Sequence, residues 1–214
     1  MNLPVKTKKE QHHLIASQIK KHGYVIVQNF IPKDVLNALQ TRIQSLNKEE
    51  LTQANIGRGV AHHSNQDIRR DVICWLDKNN QTDNIWLTEM DELKAYLNQT
   101  LFLGLFDYES HYAIYQEGDF YKKHIDALKG ESNRILSSVF YLNEQWESKD
   151  GGELIIYNKN DEIIKTIQPQ EGTLVLFLSE EFPHEVLASN RKRYSIAGWF
   201  RVNSSSSINI DPFQ

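Results

Sequence analysis

Apolar residues in the first part of the chain recur at helical spacing. Leu14, Ile15, Ile19 and their neighbours form one stripe over about 6–21, and Gly23 follows as a stop signal. A short β-type run, Tyr24 to Val27, comes next. Pro32 and Asp34 then open a second predicted helix through Leu36, Leu39 and Ile43, and a third is predicted near 89–103. From Tyr112 the pattern changes to short β-rich runs at 112–115, 135–142, 153–157, 162–167, 173–178 and 194–202. Turn residues separate them, among them Asp150-Gly151-Gly152 and the stretch Asn158 to Asp161. This spacing predicts a mainly β fold with an α annex: a double-stranded β-helix, the jelly-roll or cupin-like core, over about 106–203, flanked by N-terminal helices over about 1–105. Residues 1–203 read as a single domain, and the serine-rich stretch 204–214 as a loosely held tail.

Composition narrows the function more than the fold. With 214 residues, 40% of them hydrophobic, the chain is long enough to bury a full core. Its 24 basic and 28 acidic side chains give a net charge of -4, which offers no broad footprint for nucleic acid or anionic lipid. Cys74 is the single cysteine, so neither an internal disulfide nor a cysteine-based zinc cluster can form, as suits a reducing cytoplasm. The polar, lysine-rich start lacks the apolar core of a secretory signal, and the run Leu174 to Leu178 is too short to cross a bilayer. A cytoplasmic monomer with no nucleic-acid or membrane partner is the expectation.

The chemistry concentrates in the β-rich half. His124-Ile125-Asp126 places two ligand-type side chains at i and i+2, which on an extended strand share a face. A His-x-Asp tripeptide arises by chance in about one of two such chains, so further ligands are needed. His184, after Pro183, supplies one. Two imidazoles and a carboxylate leave coordination positions open, as in non-haem Fe(II) oxygenases, whereas a closed structural zinc site needs a fourth ligand. The adjacent pairs His12-His13 and His62-His63 point to opposite faces and stay unassigned. On the run Arg193 to Phe200, alternation sets Arg193, Ser195, Ala197 and Trp199 on one face. If that face is interior, the guanidinium needs an anionic partner such as a dicarboxylate, with Ser195 and Ala197 leaving it room. Tyr141 and Tyr115 are candidate phenol donors. The long aperiodic segment 55–71, which ends on Arg69-Arg70-Asp71, reads as a substrate lid.

Taken together, His124-x-Asp126, His184-Glu185-Val186, Arg193 to Phe200, Tyr141-Leu142-Asn143 and Gly151-Gly152-Glu153-Leu154 resemble the signature of the prolyl 4-hydroxylase superfamily of Fe(II)/2-oxoglutarate dioxygenases. The likeness runs from about 56 to 201 and is strongest to bacterial prolyl hydroxylases related to the hypoxia-inducible factor enzymes. It implies that His124, Asp126 and His184 hold the catalytic iron, that Arg193 binds the far carboxylate of 2-oxoglutarate with help from Tyr141, and that Tyr115 and Ser195 complete that pocket. Arg69 and Asp71, with Trp199, fall on the substrate side. The implied cofactors are Fe(II), 2-oxoglutarate and O2, with ascorbate as a candidate auxiliary. The implied reaction is peptidyl-proline 4-hydroxylation of a prolyl residue in a flexible protein loop, with elongation factor Tu as a candidate target. Alternatives are a nucleic-acid demethylase or small-molecule hydroxylase on the same scaffold, or a non-catalytic metal-binding sensor. The sequence departs from the family pattern at Gln116, where a proline is usual, and at Ala197, where a threonine is.

Overall fold

The computed structural model describes residues 7–54, 67–128 and 132–203. Three helices precede most of the strands: α1 (Lys8–His22), α2 (Lys33–Ser45) and α3 (Gln81–Leu101). The strands are β1 (Tyr24–Val27), β2 (Thr52–Gln53), β3 (Val72–Trp75), β4 (Leu105–Tyr115), β5 (Tyr121–His124), β6 (Arg134–Tyr141), β7 (Leu154–Tyr157), β8 (Ile163–Ile167), β9 (Leu174–Leu178), β10 (His184–Val186) and β11 (Arg193–Val202). They form a seven-stranded sheet, β1-β9-β6-β11-β4-β3-β2, and a four-stranded sheet, β5-β10-β7-β8, with antiparallel pairing throughout. A mainly β chain with two antiparallel sheets and an α annex matches the predicted jelly-roll class.

The large sheet has two buried faces, which explains why β9 reads as an unbroken apolar run. Leu174 and Leu176 pack with Ile15, Leu39 and Trp86 on the helical side. Val175 and Phe177 turn the other way and meet Leu154, Ile156 and Val186 of the small sheet. A strand covered on both faces needs apolar side chains at every position.

Local chemistry sets the helix ends. In α1 a capping box joins Thr7 and Glu10, and Gly23 closes the helix in the left-handed region. Helix α3 starts well before the predicted position near 89, because the Asn80 side chain accepts from the backbone N–H groups of Thr82 and Asp83. The first turn hides from an apolar-period reading because Asp83 occupies a core position. It is fully buried, and its carboxylate accepts the Tyr112 hydroxyl at 2.8 Å and the Asp77 backbone N–H at 3.1 Å. Strand β4 likewise runs back to Leu105 because Asp107 and Glu109, polar in sequence, are buried in ion pairs.

At one point the sheet tolerates no side chain. A Cβ on Gly198 would run into the Tyr108 hydroxyl and lie 2.7 Å from the Glu109 carbonyl oxygen. The Tyr108 hydroxyl also bonds Ser138 Oγ at 2.9 Å, and Ser138 donates to the Gly198 carbonyl at 3.1 Å, so none of these neighbours yields freely. Gly198→Ala should therefore destabilise the fold by about 1–3 kcal/mol. A urea unfolding midpoint equal to the parent's would contradict so close a contact.

Candidate active site

The mouth between the two sheets gathers the chemistry. Strands β5 and β10 pair antiparallel with His184 opposite His124, which sets the ring centroids 4.2 Å apart. Asp126 is not on the strand, contrary to the i and i+2 argument: β5 ends at His124, and the chain bends to bring the carboxylate back. One donor atom from each of His124, Asp126 and His184 lies within 4.8 Å of the others.

Each of these side chains is held by its unused end. His124 Nδ1 lies 2.8 Å from the Lys122 carbonyl and His184 Nδ1 3.0 Å from the Phe182 carbonyl. With Nδ1 protonated against a backbone oxygen, Nε2 is the free lone pair on both rings. Asp126 is steered from the large sheet: its Oδ2 accepts the Ser137 hydroxyl at 2.6 Å and the Trp199 indole N–H at 2.9 Å. Burial alone would push this carboxyl up, but the neighbouring His184 and His124 and the Ser137 donor hold it well below the usual carboxylate range. Burial brings the His184 imidazole down to about 4, with His124 adding to the effect, which keeps it neutral and able to donate to a metal. Two imidazoles and one carboxylate, with positions left over, suit Fe(II) in an oxygenase.

Deeper in the same cavity, of about 860 Å³, sits Arg193, with 1% of its surface exposed. Its Nε donates to the Gly152 carbonyl at 3.0 Å and Nη1 to Ser195 Oγ at 3.2 Å, but Nη2 is buried without a partner. The Tyr141 hydroxyl is also buried and unpaired. Burial pushes that phenol up to about 12 while the Arg193 charge pulls it back, yet the two groups do not meet in hydrogen-bonding geometry. The guanidinium carbon lies 5.0 Å from the Tyr115 ring centre and 5.1 Å from that of Tyr141, so two aromatic faces flank it. A buried cationic donor and a buried phenol, both lacking acceptors, fit a carboxylate that reaches in from the metal side.

The remaining sequence candidates also line the site or support it. Arg69 lines the cavity and is clamped to fully buried Asp71 by contacts of 2.6 and 2.8 Å. Trp199, placed on the substrate side from sequence, lines the cavity too, but its N–H is committed to Asp126. The lid reading for 55–71 falls mostly outside the described residues, of which only Asp67 to Asp71 belong to that segment. Sequence reasoning missed Ser137, His111 and Arg134, which all line the cavity. Ser137 was open to it through the strand pattern, since it shares the inward parity of Tyr141.

Comparison with known proteins decides the family. The chain is 36% identical to a Pseudomonas putida prolyl-4-hydroxylase and superimposes with a TM-score of 0.82, over 90% of this chain and 100% of that one. The chain belongs to the 2OG-Fe(II) oxygenase superfamily. Residues 110–201 match that family directly. A prolyl hydroxylase from Trichoplax adhaerens, solved with a hypoxia-inducible factor peptide fragment, shares the fold at a TM-score of 0.81 and 24% identity, over 92% of this chain and 94% of that one. Human Egl nine homolog 1 is 27% identical over 194 residues, 85% of this chain; the chain spans only 44% of that relative's length. Membership in the 2OG-Fe(II) oxygenases implies Fe(II), 2-oxoglutarate and O2, and the donors gathered at His124, Asp126 and His184 fit the iron.

His111 has a measurable consequence in this oxygenase. Burial, reinforced by the Arg69 and Arg134 charges and opposed by Asp71, pushes its imidazole from an ordinary 6.5 down to about 3. As pH falls through that window the unfolded chain takes up a proton that the folded one refuses, so stability declines with acidification. His111→Leu should flatten the decline by up to about 1.4 kcal/mol per pH unit. Parallel slopes in urea midpoints for the two proteins would mean that His111 ionises in the folded state.

Proposed function

We propose that the chain is an Fe(II)- and 2-oxoglutarate-dependent prolyl hydroxylase that acts on a prolyl residue in a flexible protein loop. One observation carries the reading: the Arg193 Nη2 and the Tyr141 hydroxyl, buried and unpaired, share a cavity with the His124, Asp126 and His184 donors. In this reading Nε2 of both histidines and a carboxylate oxygen of Asp126 hold the iron. Arg193 and Tyr141 take the far carboxylate of 2-oxoglutarate, Ser195 orients the guanidinium, and Tyr115 walls it in. When bound, the iron and cosubstrate supply the oxidising chemistry that places one oxygen atom of O2 in a C–H bond as 2-oxoglutarate leaves as succinate and CO2. The protein's part is to position the reactants and exclude water.

The prolyl specificity is supported by likeness to the Pseudomonas putida prolyl-4-hydroxylase and to mouse prolyl hydroxylase EGLN3, which is 27% identical over 187 residues, 83% of this chain and 78% of that one. A protein loop fits a mouth bordered by the exposed side chains of Trp75 and Leu128, where apolar contacts can receive a chain and the clamped Arg69–Asp71 pair can shape its path. Elongation factor Tu is the first target to test, with ascorbate as an auxiliary reductant and a cytoplasmic monomer as the working form. A nucleic-acid substrate gains nothing from a net charge of -4.

Incubation with Fe(II), 2-oxoglutarate and elongation factor Tu should add one oxygen atom to a prolyl residue, located by mass spectrometry. Succinate formation with no modified proline in any protein of the same cell would sink the prolyl assignment. Arg193→Ala should raise the KM for 2-oxoglutarate by about tenfold or more, since hydrogen bonds to charged groups contribute ~1.5–3 kcal/mol. Metal affinity should stay near the parent's; an unchanged KM would remove Arg193 from the cosubstrate site.

A further inference from the structure

A chain of alternating charges crosses the large sheet and ends on the metal-ligand carboxylate. In register, Glu109 of β4, Trp199 of β11 and Ser137 of β6 form one row, and Asp107, Arg201 and Arg134 form the next. Arg201 Nε donates to Asp107 at 2.9 Å, and its Nη1 lies 3.3 Å from Glu109 Oε2. The other Glu109 oxygen accepts Arg134 Nη2 at 2.9 Å and Nε at 3.2 Å. Arg134 then covers Trp199, its guanidinium carbon 3.5 Å from the ring centre, and the Trp199 N–H reaches Asp126 Oδ2 at 2.9 Å.

The placement of Arg134 depends on a strand irregularity. Arg134 and Ser137 are three residues apart and on a regular strand would face opposite sides. Between Phe200 and Arg201 the β6–β11 register slips, so Arg201 pairs with Arg134 and not with Ile135. Ile135 packs with Leu136 against the helix-side core, which turns Arg134 to the Asp126 side. Asp107, Glu109 and Arg201 are all buried. Burying such ions costs several kcal/mol each in desolvation, and well-packed apolar residues would stabilise the sheet as well. Stability alone does not account for the row.

We propose that Arg134 is a positioning residue for Asp126: held by Glu109, which Arg201 and Asp107 anchor in turn, it fixes the Trp199 ring so that the indole N–H holds Oδ2 and leaves Oδ1 for the metal. This rests on the metal-site reading above. The sign of the effect separates positioning from a plain field. A cation near a metal repels it, so removing the charge alone would tighten metal binding, whereas removing a brace weakens it.

Co(II) is the probe, titrated into the metal-free protein and followed by its visible absorption, with far-UV circular dichroism confirming the fold of each variant. Trp199→Phe and Arg134→Met should each weaken Co(II) binding by about tenfold, in the range seen when groups that hold metal ligands are lost, and should alter the cobalt spectrum. Arg134→Lys should recover part of both, and Glu109→Gln, which keeps the side-chain shape, should weaken binding in the same direction. If Arg134→Met does not fold, Arg134→Lys decides: it keeps the charge, so binding weaker than the parent's there reports the lost hold on Glu109 and Trp199 and not a change of field. Wild-type affinity and spectrum in the readable variant, or tighter binding in Arg134→Met, would overturn the proposal. No Co(II) binding by the wild type, or equal binding by Asp126→Ala, would take down the metal-site reading and this inference with it.

Discussion

The carboxylate of Asp126 must stay ionised and aimed while half-buried between two sheets, and much of the surrounding structure serves that constraint. The histidines beside it come from paired strands of the small sheet, but Asp126 follows β5 in a bend and has no ladder of its own. Its orientation comes from across the gap, from Ser137 on β6 and Trp199 on β11. A carboxylate with such donors remains charged, and a charged oxygen beside two imidazoles attracts a divalent metal. The ligands thus come from the small sheet and the bend after it while the support for Asp126 comes from the large one, so the geometry depends on how the two sheets are packed.

That packing is apolar and continuous. Val175 and Phe177 of β9 and Tyr141 of β6 join Leu154, Ile156 and Val186 in one core layer, and Phe177 also packs edge-on against the His184 ring at 4.7 Å. The layer excludes water from one side of the site and fixes the imidazole plane. On the opposite face of the large sheet, Trp86 stacks on Phe140 at 4.7 Å and meets Phe30, so the helical annex stiffens the sheet that carries Ser137 and Trp199. Fold and site share the same side-chain contacts, and the site is precise because its supports sit on strands and not on loops.

Much of this was legible in the sequence because it follows periodicity. The alternation Arg193, Ser195, Ala197, Trp199 placed one face of β11 in the cavity, and the helices were marked by Gly23 and by the stripe of Leu36, Leu39 and Ile43. What escaped was polar and buried. Asp83 in the first turn of α3, and Asp107 and Glu109 in β4, looked like surface positions because a carboxylate's partner, Tyr112 or Arg201, is distant in sequence. The bend after His124 escaped too, since a His-x-Asp spacing reads equally well as a regular strand. Arg134 needed a register slip that residue parity cannot reveal.

β11 connects the two ends of the site. Arg193 near its start supplies the buried, unpaired guanidinium nitrogen, and Trp199, six residues on, supplies the N–H on Asp126. At ~3.3 Å per residue those anchors are separated by roughly 20 Å of backbone that cannot stretch. β11 is hydrogen-bonded on both sides, to β4 and β6, and Gly198 permits a contact with β4 too close for any other residue. In the proposed reading a single rigid strand therefore sets the relation between the cosubstrate's far carboxylate and the support of the metal ligand. Ala197 stands between them, where its small side chain keeps the cavity open. A site built so needs little rearrangement of its anchors when its reactants arrive, and substrate choice falls to the residues at the mouth.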